Sequence, residues 1–151
     1  MANPPIRIEV FGRPAQQGSK RGFVHRGRVI LVETNAKRQR QWYGNVASAA
    51  ADVMKGRSLL SGPVQLSICF RFARPRAHYG TGKNSSVVKP AAPLFHTQTP
   101  DLSKLVRCTE DALTGVVWQD DRQVIQYANI TRVWTESSEG AVVTIQEMPT
   151  P

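Results

Sequence analysis

The clearest pattern in the chain is the alternation of Val64, Leu66, Ile68, Phe70 and Phe72 with polar or small neighbours, which predicts a strand with one buried face over 64–72. Residues 6–10 repeat the pattern on a smaller scale and predict a half-buried strand. Residues 22–33 read as a hairpin, with arms at 23–24 and 29–32 around the basic turn His25-Arg26-Gly27-Arg28. The period changes at residue 36. Trp42, Val46, Ala49, Ala50 and Val53 recur at three- and four-residue steps, predicting a helix over 36–54 capped by Thr34 or Asn35 and stopped at Gly56. A second helix is predicted from Thr99 as cap and Pro100 as first helical residue to about Thr114, with Gly115 as its stop. Its buried stripe is Leu102, Leu105, Val106, Thr109 and Leu113; Lys104, Arg107 and Asp111 fall on the opposite side. Residues 123–133 and 141–145 close the chain as two strands around a turn at 137–140. The order β-β-β-α-β-α-β-β predicts an α+β fold, a single small mixed β-sheet with two helices, in one domain of 151 residues.

Charge changes this picture from a plain scaffold to a phosphate-directed one. Residues 1–100 hold sixteen Lys and Arg against three Asp and Glu, a net +13, while residues 101–151 have a net charge of −4. Lys20 and Arg21 in the 13–22 loop, Arg26 and Arg28 in the hairpin turn, and Lys37, Arg38 and Arg40 at the first helix are candidate contacts to a phosphate backbone. The helix-start cations have the wrong sign for a helix N-terminus, so they read either as a phosphate seat or as a solvated face. Residues 74–93 hold five basic residues and no acids, and predict a flexible basic loop. There Arg74, Arg76, Lys83 and Lys89 either wrap nucleic acid or only solubilise the chain. A basic body with a knot of acids excludes simple polyanion binding as the whole account, because carboxylates oppose phosphate contacts.

Asp101, Asp120 and Asp121 are the acids chosen as a site. If the short GVVW run carries the chain back along the second helix, the three converge, and Mg²⁺ is the agent that would neutralise them. Such an ion activates water for attack on a phosphodiester, with Lys104 or Arg107 balancing the developing charge. The alternative for Asp120-Asp121 is a loop or capping pair in water. Glu110 and Asp111 are expected to face solvent, with Asp111 paired to Lys104 or Arg107. His25, His78 and His96 share no ligand spacing, and Cys69 and Cys108 are expected to be reduced thiols. No apolar run reaches bilayer length and the N-terminus lacks a secretory pattern, so the expectation is a cytoplasmic protein without a membrane partner.

Residues 99–124, TPDLSKLVRCTEDALTGVVWQDDRQV, resemble the signature of RusA-type Holliday junction resolvases: PDxDNLxK, then DAL, an apolar run, and DD before a strand. Pro100, Asp101, Leu105, Asp111, Ala112, Leu113, Gly115, Trp118, Asp120 and Asp121 match, and QGSKR at 17–21 is similar to the opening loop of phage-type members. The resemblance implies an α+β homodimer that cuts four-way DNA junctions symmetrically with Mg²⁺, or with Mn²⁺ in its place, in a bacterial cell and encoded by a phage or prophage. By position, Asp101, Asp120 and Asp121 are implied to be metal-binding or catalytic. Arg107 stands where the family has its catalytic Lys, the second acid of DxD is Ser103, and the following Asn is Lys104. A serine hydroxyl is a poorer Mg²⁺ ligand than a carboxylate, and Arg is no base at neutral pH. Two other readings stay open: a junction- or nucleic-acid-binding protein of the same fold with impaired catalysis, and an RNA-binding protein of the ribosomal kind.

Overall fold

The computed structural model describes residues 3–18, 20–33 and 35–151. Strands β1 (Ile6–Phe11), β2 (Lys20–His25) and β3 (Arg28–Glu33) precede helix α1 (Ala36–Met54). Strand β4 (Val64–Ala73), helix α2 (Leu102–Leu113), and strands β5 (Val124–Thr135) and β6 (Gly140–Glu147) follow. The predicted element order and the α+β class hold.

The main sheet runs β1-β6-β4-β5. β4 pairs antiparallel with β6 and parallel with β5, so the sheet is mixed. A parallel neighbour needs a crossover, and α2 lies in that connection. Alternation decides the faces. Ile8, Val10, Val64, Leu66, Ile68, Phe70, Val143 and Ile145 form one buried side, while Glu9 and Arg71 meet on the other at 3.3 Å. Trp42, Val46, Ala50 and Met54 of α1 and Leu105, Thr109, Ala112 and Leu113 of α2 join the same core. The Trp42 indole donates to Thr109 Oγ1 at 3.1 Å, and that hydroxyl donates to the Leu105 carbonyl at 2.8 Å, so one polar pair inside the helix seam is satisfied. Gly140 pairs with Phe11, and a Cβ there would collide with the Val10 carbonyl oxygen, so only glycine lets β6 begin this close to β1.

Two expectations need correction. There is not one sheet but two, because β2 and β3 pair only with each other. Their apolar residues are consecutive rather than alternating, so no single face is marked for the core. The second helix starts at Leu102 with Asp101 at its cap position, not at Pro100. Arg132 donates to the Gln98 carbonyl at 3.0 Å and also to the Pro100 carbonyl, and Gln16 takes the Asp101 N–H at 3.0 Å; these bonds hold residues 98–100 in a bend outside the helix, with Asp101 extended at the cap position. The cap of α1 falls to Asn35, whose φ of 67° is left-handed and whose side chain makes no capping bond; Thr34 lies outside the described residues. Residues 74–93 fold back on themselves through two 3₁₀ turns and a Tyr79–Val88 bridge. Among the described residues no helix is long and apolar enough to cross a membrane.

Candidate active site

Helix α2 sets the frame of the site. At its start Asp101 is exposed, with Lys104 Nζ 3.8 Å from its Oδ2. The segment after β1 lies along the helix: Gln16 bonds Asp101, the Gln17 N–H donates to the Lys104 carbonyl at 3.3 Å, and Gln17 Nε2 donates to Asp111 Oδ2 at 3.2 Å. The polar partner found for Asp111 is therefore Gln17, rather than the salt bridge expected with Lys104 or Arg107.

The other acids gather at the far end. After Leu113 the GVVW run does not return along α2. Gly115 donates to the Trp118 carbonyl at 2.7 Å, and Val117 and Trp118 plug into the core beside Leu60. This tight turn leaves Asp120 and Asp121 near the last turn of α2, and β5 makes the return. Ten residues of helix, about 15 Å along the axis, separate Asp101 from Asp111. Asp121 acts electrostatically on Glu110 and Asp111. Burial first, and then Asp121, push both of these carboxyls above their usual range, while Arg107 opposes the shift. Glu110 is half-buried rather than solvent-facing and accepts from the Tyr127 hydroxyl at 2.6 Å. Burial and that bond to Glu110 push the Tyr127 phenol up to about 12.

Asp120 has a different job. It heads the 3₁₀ turn Asp121–Gln123, accepting from the Arg122 N–H at 2.8 Å and from its guanidinium at 2.8–3.1 Å. Those bonds hold its carboxyl well below the usual range. Gln123 completes the box: its Oε1 accepts from the Asp120 N–H, and its Nε2 donates to the Leu60 and Gly62 carbonyls. The structure therefore does not bring Asp101, Asp120 and Asp121 to one point. Among the described residues no group of three or more His, Cys, Asp or Glu side chains is placed to hold a metal ion. The donor set as it stands does not fit a divalent cation, because Asp120 spends its oxygens on Arg122 and Asp101 lies at the other end of α2.

Two concavities flank this helix. A groove of about 630 Å³ between α2 and β5 has Ser103, Arg107, Glu110 and Tyr127 on its walls. A pocket of about 380 Å³ opens at the start of α1, lined by Arg13, Gln16, Arg38 and Gln41 beside Thr99 and Pro100, with no acid among its walls. Arg38 is one of the candidate phosphate contacts of the sequence; Arg13 is not, since only the docking of residues 12–18 on α2 brings it to this pocket. The Glu110–Tyr127 pair was not legible, because no spacing links a helix residue to a strand residue seventeen positions on. Lys20, Arg21, Arg26 and Arg28 are exposed on the hairpin, Lys37 on α1 and Lys83 in the 74–93 loop. Arg74 instead braces that loop, donating to the Pro93 carbonyl at 2.6 Å, as does Arg76 to the Ser85 carbonyl at 3.1 Å. Both cysteines are free, and burial pushes the Cys108 thiol up to about 12.

His96 lies in the connection between β4 and α2 and is buried there, stacked on Phe72 at 4.0 Å and tilted against Trp134 at 4.4 Å. Burial, then the charges of Arg132 and Arg13, lower its pKa. With the folded value below the unfolded one, the unfolded chain takes the proton first. Stability from this group is complete above about pH 6.5 and is lost as pH falls through and below that value. Thermal midpoints should drop between pH 7 and pH 5, and His96→Phe should drop less over the same interval. Equal drops would remove His96 from the account.

The sequence profile described as "Endodeoxyribonuclease RusA" matches residues 12–146. The chain belongs to the RusA endodeoxyribonuclease family. It is also similar to the uncharacterised protein YqaN of Bacillus subtilis (strain 168), 26% identical over 121 residues, covering 80% of this chain and 82% of that protein. In RusA terms, the positions of the second acid and the lysine of the signature, Ser103 and Arg107, both face the α2–β5 groove. Glu110 shares that groove and brings to it a carboxylate that Ser103 lacks.

Proposed function

We propose that this RusA-family protein is a structure-selective endodeoxyribonuclease that cuts four-way and related branched DNA in recombination and repair. It would act as a homodimer and require Mg²⁺, with Mn²⁺ able to substitute, in the cytoplasm of a bacterial or phage-infected cell. The observation that carries the reading is the shared groove: Arg107 and Glu110 on one wall, with Asp121 acting on Glu110 from the helix end. Arg107 is a fixed cation that can balance charge on a scissile phosphate. Glu110, its carboxyl raised by burial, keeps its proton to higher pH than an ordinary carboxyl and faces the same groove. Arg13 and Arg38 can seat the backbone beside Asp101. The Mg²⁺ requirement rests on the family and on the chemistry of phosphodiester cleavage, and no step here is derived through the ion. A homodimer supplies the two matched cuts that a four-way junction needs.

The test is cleavage of a synthetic four-way junction across Mg²⁺ and Mn²⁺ titrations, with EDTA and a linear duplex as controls. Paired nicks in the junction, absent with EDTA, are expected. Tight junction binding without product at any metal concentration would favour the second reading, a junction-binding protein of this fold. Ser103, Arg107 and the Asp120–Arg122 pairing are what favour that alternative. Equal preference for structured RNA would overturn both.

A further inference from the structure

We infer that the β2–β3 hairpin is a wedge that enters the branch point of DNA, its apolar side chains packing on base faces left unstacked there. The inference rests on the branched-DNA reading above and adds the element that would read the branch. Antiparallel pairing sets Val24 against Val29, Phe23 against Ile30 and Gly22 against Leu31, around a turn where Arg26 (φ 50°) and Gly27 (φ 74°) are both left-handed. That turn keeps the strands close and twisted together. Among the described residues the ribbon pairs with no other strand. One face exposes Val24 at 72%, Val29 at 71% and Leu31 at 63%; the other exposes Phe23 at 48%, Val32 at 46% and Ile30 at 37%. A ribbon with one face for water and one for the core would alternate. Here both faces are apolar and the protein's own core covers neither, and a lone two-stranded hairpin is marginal in water.

Charge selects the occupant. Lys20, Arg21, Arg26 and Arg28 lie on the ribbon, and its one acid, Glu33, stands in register with Lys20 at the base, away from the tip. A second copy of the ribbon would bring the same cations into opposition. A nucleic acid removes that repulsion, yet an intact duplex hides its base faces, and a branch point exposes them. Six residues of strand reach about 20 Å, and a two-stranded ribbon fits the width of a DNA groove. The Val24–Val29 pair sits directly behind Arg26 and Arg28, so apolar contact at the branch and phosphate contact beside it are met by one tip.

The experiment uses the full chain in EDTA, with a four-way junction carrying 2-aminopurine next to the branch and a matching duplex. The wild type should bind the junction more tightly and raise its 2-aminopurine fluorescence. V24T/V29T/L31T keeps charge and strand propensity. It should bind duplex normally, lose about tenfold in junction affinity, a modest apolar contribution on the affinity scale, and give no fluorescence rise. R26Q/R28Q should weaken both substrates alike and reduce the log–log salt slope by about two. Circular dichroism matching the wild type keeps misfolding out of the comparison. If the triple variant retains preference and signal, the wedge is wrong while the nuclease reading stands. If it instead changes the sedimentation mass, the ribbon is a seam between copies and the inference is overturned. A wild type without any junction preference overturns the parent reading and the wedge with it.

Discussion

Asp121→Asn is expected to cut junction cleavage by about 10³-fold, the size of effect seen when a group serving the transition state is removed. Asp121 is exposed and follows the cap residue of the 3₁₀ turn, so its charge bears little load in the fold. That charge does act on Glu110 and Asp111, raising both. Its removal should let both carboxyls fall back toward their ordinary range, and the acid limb of the pH–rate profile should move to lower pH. Junction affinity should hold or improve, since one negative charge near phosphate is gone. The signature is thus a fall in kcat with KM unchanged and a shifted limb. Asp120→Asn is the informative neighbour, because an asparagine oxygen can still accept from the Arg122 N–H and keep the turn capped. A comparable loss in that variant would assign catalysis to the pair of acids. Retention of activity within about threefold in Asp121→Asn would place the chemistry elsewhere.

Trp42→Ala is expected to cost about 4 kcal/mol, enough to leave a protein of ordinary stability marginal. Trp42 is fully buried on α1, its ring 6.5 Å from that of Phe70 on β4, and its indole N–H is satisfied by Thr109 on α2. Truncation opens a cavity where α1, α2 and the sheet meet, and removes a hydrogen bond between the helices. The thermal midpoint should fall by roughly 10 °C, given the usual conversion for a domain of this size. Thr109→Val separates the two effects. It keeps the volume, strands the indole N–H, and should cost about 1–3 kcal/mol. A Trp42→Ala midpoint within about 3 °C of wild type would mean that the seam is not where the stability resides.

Elements with a single period were legible. β1, β4 and β6 alternate, and α1 and α2 carry stripes, because each buries one face against one core and the pattern records which face. The RusA signature at residues 99–124 was legible for a related reason: its acids and its DAL–G–W framework are local spacings on one helix and one turn. The start of α2 was misplaced by two residues. Thr99-Pro100 has the local chemistry of a helix start, but the bonds that decide it come from Gln16 and Arg132, remote in sequence.

The chain by itself therefore determined the α+β class, the order of elements, the helical and strand cores, the basic and acidic halves, and the family to which residues 12–146 belong. Only the tertiary structure decided which acids meet. The GVVW turn plugs into the core rather than running back along α2, so Asp121 comes within electrostatic reach of Glu110 and Asp111, while Asp101 stays about 15 Å from Asp111 along the helix. Only the tertiary structure put Arg13 in a pocket with Arg38, buried His96 between aromatic rings, and left the β2–β3 ribbon uncovered on both faces. The reason is common to all four. Periodicity reports the environment of a face, whereas distances between side chains on different elements depend on how the packed core orients those elements, and no local pattern encodes that.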